Sequence, residues 1–258
     1  MSKSDIKAFN MYGNLYFVGS TRVSVHIIKT EQGLVMIDTG YPDMLEQILD
    51  SMEELGFEPK DICAIFHSHG HIDHYGCTRE LVALSGAKTY ISNIDNEIVN
   101  GTYDISWAKE LNYEIIEPFD CDVLIEDGDV FTFGSTKVRC VHTPGHTDGV
   151  MSYFVNVQDG DEVLIAGMFG GMGMNTMRAK YLDKNGFSYD CRDKFKESIL
   201  KLRPEHVDIV MGNHPENNDT VLKSQGEKSC VDPSEWQRLL DDGERSLKNT
   251  IAKETNAL

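Results

Sequence analysis

The sequence predicts an α/β fold in which two mixed β-sheets pack against each other between outer helices, an αββα sandwich. Two observations support this prediction: β-rich segments and helical segments occur in both halves of the chain, and no Gly/Ser-rich or Pro-rich linker separates the halves. Sheets with one apolar face bury that face against a second layer. A chain of 258 residues can bury a sizeable core, so we expect residues 1–258 to form one domain.

The first half begins as an antiparallel meander and continues with helices between strands. Apolar runs and alternation predict strands at residues 15–18, 23–30, 34–38, 62–66 and 88–91. Apolar residues at helical spacing predict helices over 44–55 and around 81–84, and the mixed stretch 93–107 is a further helical candidate. The half is therefore expected to contribute one sheet with helices on its outer face.

The second half repeats this arrangement of strands followed by helices. Its predicted strands are residues 130–133, 137–142, 152–157, 163–166 and 207–211. Helical periodicity predicts helices over 187–202 and 236–251, and the second of these closes the chain. The Gly- and Met-rich stretch 167–175 is expected to be a loop where the backbone approaches another group closely.

The charge and composition limit the partners of the protein. A formal net charge of −18 predicts an acidic surface that repels nucleic-acid phosphates and anionic lipid. We expect a small-molecule substrate, with no nucleic-acid and no membrane partner, and the oligomeric state has no signature. No apolar signal-peptide segment occurs near the start, so we expect a cytoplasmic protein, or a periplasmic one if a signal peptide was trimmed. The six cysteines form no C-x-x-C pair and are expected to be reduced thiols.

A dense cluster of metal-binding side chains follows the predicted strand 62–66. His69, His71, Asp73 and His74 lie within six residues, where one loop can turn all four toward a common point. A single histidine is usually an ordinary surface or core residue, but imidazole and carboxylate groups at this density are typical of a zinc site. The cluster therefore predicts a metal centre at the end of that strand.

Two further histidines occupy similar positions in the second half. His146 follows the predicted strand 137–142 in the segment T-P-G-H-T, and His214 follows the predicted strand 207–211 directly before a proline. Alone, each histidine is as readily explained by a structural role as by a functional one. Their shared position at a strand exit makes both of them candidates to complete the metal centre.

The motifs together resemble the metallo-β-lactamase superfamily over nearly the whole chain. They are M-I-D-T-G, H-x-H-x-D-H, T-P-G-H-T and a late His-Pro; the segments YGNLYFVG, LGFEPKDI and GNHPEN are most similar to the third, histidine-rich subclass of class B β-lactamases. The resemblance implies the αββα fold, hydrolytic activity and two zinc ions. It implies that His69, His71 and His146 bind one ion, and that Asp73, His74 and His214 bind the other.

Such a site has a clear expected chemistry. Two zinc ions sharing one water lower its pKa toward about 7, which provides a hydroxide at neutral pH. Asp73 is the expected catalytic side chain, because a carboxylate there can orient that nucleophile or receive its proton. Asp38 in M-I-D-T-G is expected to lie beneath the histidine loop and to orient it by hydrogen bonds, and His67 is a second supporting candidate.

The chain departs from the resembled families at the end of the strand 163–166. Many superfamily hydrolases have a metal-bridging Asp there, and the resembled lactamases have a Ser followed two positions later by a second Ser. This chain has Met168 and Gly170 instead. Met168 and Phe169 suit an apolar acyl group, so Met168, Phe169 and Gly170 are the pocket candidates.

The leading functional prediction is a dizinc hydrolase that opens a cyclic amide, as β-lactamases do. The first alternative keeps the site and gives it an ester, lactone or thioester substrate. An iron-dependent oxygenase on the same fold is a less favoured alternative, since affinity alone does not choose between zinc and iron. A non-catalytic metal-binding protein is disfavoured because all six expected ligands are present.

Overall fold

The first sheet holds seven strands in chain order. A computed structural model describes residues 6–114 and 116–256. Within them, the sheet consists of β1 (Phe9–Tyr12), β2 (Leu15–Phe17), β3 (His26–Thr30), β4 (Gly33–Ile37), β5 (Ile62–Phe66), β6 (Lys88–Ser92) and β7 (Val123–Ile125). Strands β1 to β4 pair antiparallel and β4 to β7 pair parallel. The carboxyl ends of β4, β5 and β6 therefore lie at one edge of the sheet.

The second sheet has five described strands in the order β12-β11-β10-β9-β8. They are β8 (Val130–Phe133), β9 (Thr136–His142), β10 (Met151–Asp159), β11 (Glu162–Met168) and β12 (Ile209–Val210). All neighbours pair antiparallel except β11 and β12, which are parallel. Both sheets are thus mixed, as the sequence predicts.

The described α-helices lie mainly outside the sheets. They are α1 (Leu45–Glu54), α2 (Ile72–Tyr75), α3 (Thr78–Ser85), α4 (Asn93–Val99), α5 (Ala179–Asn185), α6 (Cys191–Leu202), α7 (Thr220–Ser224) and α8 (Glu235–Thr255). Ile48 and Leu81, from α1 and α3, pack in an apolar cluster with the outer face of the first sheet. Phe195 and Trp236, from α6 and α8, do the same on the second sheet.

The main core lies between the two sheets. Its fully buried members include Phe66 and Ile37 from the first sheet and Tyr153 and Val155 from the second. Tyr153 also donates a hydrogen bond of 2.6 Å from its hydroxyl to the backbone oxygen of His67. The αββα prediction is confirmed, and this bond ties the second sheet to the loop that follows β5.

Several element boundaries differ from the predictions for local reasons. The edge strands β1 and β7 lie outside the predicted strands, and each of them buries only one side chain. Helix α6 begins at Cys191 rather than at 187, because Gly186, with a φ of 67°, ends α5 and a turn follows. Of the mixed stretch 93–107, only Asn93–Val99 is an α-helix.

Two whole-chain expectations are addressed by the described residues. All six cysteines lie within the described ranges, and none forms a disulfide. Among the helices of residues 6–114 and 116–256, none combines the length and the apolar character needed to cross a membrane.

Candidate metal centre

The ligand-bearing loops come from both sheets. His69 and His71 follow β5, and the single turn of α2 carries Asp73 and His74. His146 lies in the loop between β9 and β10 of the second sheet. The site therefore sits where one edge of the first sheet meets the second.

The first group contains His69, His71 and His146, all of them buried. Nδ1 of His71 lies 3.1 Å from Nε2 of His69 and 3.0 Å from Nε2 of His146. Nitrogens bound about 2.0–2.1 Å from one tetrahedral zinc lie roughly 3.3 Å apart. The spacing of these three nitrogens thus fits a single zinc ion.

The second group contains Asp73, His74 and His214. Oδ2 of Asp73 lies 3.5 Å from Nε2 of His74 and 3.6 Å from Nε2 of His214. The Nε2 atom of His74 is buried and has no hydrogen-bond partner among the described residues. A buried nitrogen without a partner is unusual, and a metal ion held by these three atoms would satisfy it.

In most of these histidines, the outer ring nitrogen, which is the one directed away from the other ligands, lies within hydrogen-bond distance of an acceptor or a hydroxyl. Nδ1 of His146 lies 2.8 Å from the backbone oxygen of Gly173, and Nδ1 of His214 lies 2.9 Å from that of Arg22. Nδ1 of His74 lies 2.7 Å from Oδ2 of Asp38. A donor hydrogen bond from the outer nitrogen leaves the inner nitrogen as a lone-pair donor for a metal.

Burial also keeps the first group uncharged. It lowers the pKa of His69 and of His71 well below the ordinary value, and the neighbouring imidazoles lower both further. Burial lowers the pKa of His146 to about 4. Since a metal ligand must be a neutral imidazole, these three side chains are already in the required form at neutral pH.

Asp38 lies beneath the histidine loop. Its Oδ1 accepts a hydrogen bond of 2.7 Å from the Ser68 backbone nitrogen, and its Oδ2 accepts one of 2.8 Å from the Ser68 hydroxyl. Burial alone would raise the pKa of Asp38, but the charge of His74 and the hydrogen bonds from His74 and from the Ser68 backbone outweigh it and lower the pKa. Asp38 adopts a left-handed backbone with a φ of 60°, a strained conformation that is common at functional sites.

His67 lies behind the loop and contacts no inner ligand atom. Its ring is fully buried, with Nδ1 3.3 Å from the backbone oxygen of His74 and Nε2 3.3 Å from the hydroxyl of Thr78. Burial lowers its pKa to about 4. His67 thus supports the turn that carries His74.

The geometry has counterparts among known proteins. Residues 18–199 match the family described as the metallo-beta-lactamase superfamily. The chain belongs to this superfamily. Its members are hydrolases.

Three known proteins show how close the similarity is. An N-acyl homoserine lactonase from a Bacillus species is 26% identical over 219 residues, which cover 69% of this chain and 77% of that protein. BJP-1, a subclass B3 metallo-β-lactamase of Bradyrhizobium japonicum, superposes with a TM-score of 0.85 at 26% identity, covering 99% of this chain and 97% of that one. The FEZ-1 metallo-β-lactamase of Legionella gormanii gives a TM-score of 0.86 at 24% identity and 99% coverage of both chains, and this likeness concerns the fold.

The structure also identifies a supporting residue that the sequence did not indicate. Asp95, fully buried near the start of α4, accepts hydrogen bonds from the Gly70 nitrogen at 2.8 Å, the Thr147 hydroxyl at 2.6 Å and the Gly149 nitrogen at 2.9 Å. Burial raises its pKa to about 6, although these bonds act in the opposite direction. Because Gly70 lies between His69 and His71 and Thr147 follows His146, Asp95 joins the two loops of the first group.

The three pocket candidates do not line a substrate cavity, and this prediction is corrected. Met168 is 0% exposed within the core between the sheets, and Phe169 is 1% exposed and stacks on Phe195. A Cβ atom on Gly170 would lie 2.0 Å from the backbone oxygen of Met151. These residues continue β11 into the core, so their side-chain positions face packed protein.

The Gly-rich loop after β11 does approach the site closely. A Cβ atom would lie 2.8 Å from Cβ of His146 if placed on Gly171 and 2.9 Å from Cε1 of His146 if placed on Gly173. Only glycine therefore allows this backbone to pass against the His146 ring, as the composition of 167–175 predicts.

Two aromatic side chains and an arginine border the second group. The Arg22 guanidinium lies 4.0 Å from the ring centre of Tyr41, and Tyr41 stacks on Tyr113 at 5.4 Å. Burial, followed by the charge of Asp73, raises the pKa of Tyr41. The Tyr41 phenol therefore stays protonated beside Asp73.

Proposed function

We propose that this protein is a dizinc hydrolase that opens a cyclic amide ring, as β-lactamases do. One observation carries the proposal: two complete groups of three ligands face each other, and the end of β11 adds no carboxylate because Met168 stands there. The similarity to a subclass B3 β-lactamase over 99% of the chain supports the same conclusion.

The donor set fits zinc, with His69, His71 and His146 at one ion and Asp73, His74 and His214 at the other. When bound, zinc supplies Lewis acidity and lowers the pKa of water. The protein's own part is to orient and to move protons. The Asp73 carboxylate lies between His74 and His214 and is placed to accept a proton from the attacking water.

Tyr41 lies beside Asp73 of the second group and contributes a phenol to that part of the site. Burial and the charge of Asp73 raise the pKa of Tyr41, whose phenol hydrogen-bonds Asp73; in this proposal the same proton can also be donated to the group that leaves. Asp38 and Asp95 hold the two halves of the site in place from behind. Because these groups are buried and fixed before substrate arrives, little reorganisation is needed during the reaction.

An ester-type ring is the second candidate substrate. One observation favours it: a curated relative is an N-acyl homoserine lactonase. The same nucleophile and the same ligands serve both reactions, so turnover decides between them.

The test is to purify the protein with its native metal, to measure zinc and iron per chain, and to assay nitrocefin, an N-acyl lactone and a thioester. His71→Ala should abolish turnover, whereas His206→Ala, a matched control at a histidine whose side chain is 71% exposed, should leave it unchanged. Nitrocefin turnover with zinc supports the cyclic-amide proposal. Turnover of the lactone or thioester alone selects the second candidate. Iron in place of zinc, or no hydrolysis at all, refutes the proposal.

A further inference from the structure

A cavity of about 280 Å³ adjoins the first metal group, and His71 and His146 form part of its wall. It lies between the His146 loop and the segments that form α5 and the start of α6. We propose that this cavity binds the non-reacting arm of the substrate and that Asp148 and Asp190 select an uncharged or cationic arm against an anionic one. The inference rests on the proposed hydrolase function and names the substrate class of that site.

One part of the cavity wall is apolar. Ile105, Tyr181, Leu182 and Phe187 contribute to it, and Phe187 is 40% exposed although it is a large aromatic residue. Tyr181 packs against Trp107, with ring centres 5.2 Å apart, and Trp107 in turn lies 5.9 Å from the ring of His71. A continuous aromatic surface therefore leads from the metal group into the cavity, which suits an aryl or alkyl arm.

The other part of the wall carries a shared charge cluster. The Lys194 ammonium lies 2.8 Å from Oδ1 of Asp148 and 3.0 Å from Oδ2 of Asp190. One ammonium group thus forms ion pairs with two carboxylates, and the side chains of Asp148 and Asp190 are 62% and 56% exposed. Hydrogen bonds from Lys194 and Ser188 lower the pKa of Asp190, so that carboxyl is ionised at neutral pH.

The balance of charge in this cluster is negative. Among the described residues that line the cavity, Lys194 is the only lysine or arginine, and both of its partners are acids. The positive end of the α6 dipole adds little, because Asp190 and Asp193 already lie there. A carboxylate on the arm would meet two carboxylates and a cation that is already paired, whereas an ammonium would find free carboxylate oxygens.

Three penicillins test this directly. Benzylpenicillin, ampicillin and carbenicillin share one ring system and differ at a single carbon of the arm, which carries hydrogen, an ammonium or a carboxylate. Their ring-opened products are titrated against the metal-loaded protein, so that binding is measured without turnover. Carbenicillin product should bind about two- to fivefold more weakly than the other two, and the difference should shrink as salt is added.

Two variants of the charge cluster should change the affinity for carbenicillin product, relative to benzylpenicillin product, in opposite directions. Asp190→Asn should raise the relative affinity for carbenicillin product, and Lys194→Met, which leaves both carboxylates unpaired, should lower it. Asp193→Asn is the matched control: it removes the same charge from the same helix end, and its carboxylate is paired with Lys196 at 2.9 Å. Asp193 does not line the cavity.

The binding and turnover results are independent. Three results would overturn the assignment of this cavity, whatever the protein hydrolyses. They are equal affinities for the three products, weaker binding of ampicillin product than of carbenicillin product, and equal effects of Asp190→Asn and Asp193→Asn. The expected order of affinities supports it. Failure to hydrolyse nitrocefin, the lactone or the thioester would refute the proposed function alone, because the products are bound without any reaction.

Discussion

The two candidate metal groups differ in one ligand type and in the way they are supported. The first consists of three buried imidazoles from two sheets, and Asp95 joins the backbones of its two loops. The second includes a carboxylate, and its His214 side chain is 24% exposed. It depends on the Asp38 carboxylate at His74 and on a backbone oxygen, that of Arg22, at His214.

Each group has its own main buried carboxylate, and Asp38 reaches the first group only indirectly, through the Ser68 hydroxyl that lies 3.1 Å from Nδ1 of His69. Asp95 makes no hydrogen bond to a ligand side chain and acts on the spacing of loops, whereas Asp38 bonds directly to the His74 ring. The groups should therefore respond separately to substitution. Substitutions in each group test that separation.

Removing one ligand from each group should give the largest loss. His71→Ala should cost the protein one metal equivalent at the first group, because both His69 and His146 face its Nδ1 atom. His214→Ala should cost one equivalent at the second. The metal affinity of each group should fall by more than the roughly 10- to 100-fold that is typical when a hydrogen-bond partner of a ligand is removed. Metal content after dialysis measures both; simultaneous loss of both ions from either variant would contradict independent groups.

Asp95→Asn should weaken the first group by about 10- to 100-fold. The new amide NH₂ would face donors that now point at a carboxylate, namely Gly70, Thr147 and Gly149. Zinc titration in a His214→Ala background, against a coloured chelator, reports the first group alone. Asp120→Asn, at an exposed acid, is the control. Unchanged affinity in the Asp95 variant would mean that the loops hold their spacing without it.

His26, which lies near Asp38, should lower the stability of the protein in acid. It is fully buried, neither ring nitrogen has a hydrogen-bond partner among the described residues, and burial lowers its pKa from 6.5 to about 4, despite the opposing charge of Asp38. Between these values the unfolded chain binds a proton that the folded chain does not. Stability is therefore full above pH 6.5 and is lost as the pH falls through about 4.

The difference between these two pKa values corresponds to roughly 3 kcal/mol. His26→Leu should remove that part of the acid loss while changing stability much less at neutral pH. Urea unfolding of metal-free protein at neutral pH and near pH 4 measures the difference, and His206→Leu is the exposed control. An equally steep acid loss in the His26 variant would rule out this histidine as its source.

Arg22→Ala should have the smallest effect on the metals. The Arg22 backbone oxygen, which the substitution keeps, holds His214, while the guanidinium pairs with Asp43 at 44% exposure. Exposed ion pairs of this type contribute about 0–1 kcal/mol. Zinc affinity at the second group should therefore change less than about fivefold, and a larger loss by titration would show that the side chain positions His214 after all.

The candidate ligands could be identified from the sequence because their signal is local. His69, His71, Asp73 and His74 fall in one loop, and His146 and His214 each follow a strand. The αββα fold was equally accessible, since strands and helices show their periodicity along the chain. The resemblance to a known superfamily then supplied the pairing of these residues into two groups.

One supporting residue, Asp95, could not be predicted because no motif marks it and it acts across long sequence distances. Asp95 belongs to no motif, and its partners at Gly70 and Thr147 are 25 and 52 residues away. The pocket prediction failed for a related reason: Met168 ends β11 and Phe169 follows it, and both side chains are buried in apolar clusters. The cavity is instead lined by residues that include Phe187 and Tyr181. Periodicity places Phe187 at the start of a predicted helix and assigns Tyr181 to no element.

Because the candidate ligands come from both sheets, the two proposed metal ions would also act as cross-links. His71 and His146 are 75 residues apart, yet their ring nitrogens meet at 3.0 Å. An ion there closes a long loop of the chain, much as a disulfide would, and an ion at the second group closes another that ends at His214. Binding at 100 times the dissociation constant adds about 2.7 kcal/mol to the free energy of unfolding. Chelation should therefore loosen the joint between the sheets as well as stop the chemistry.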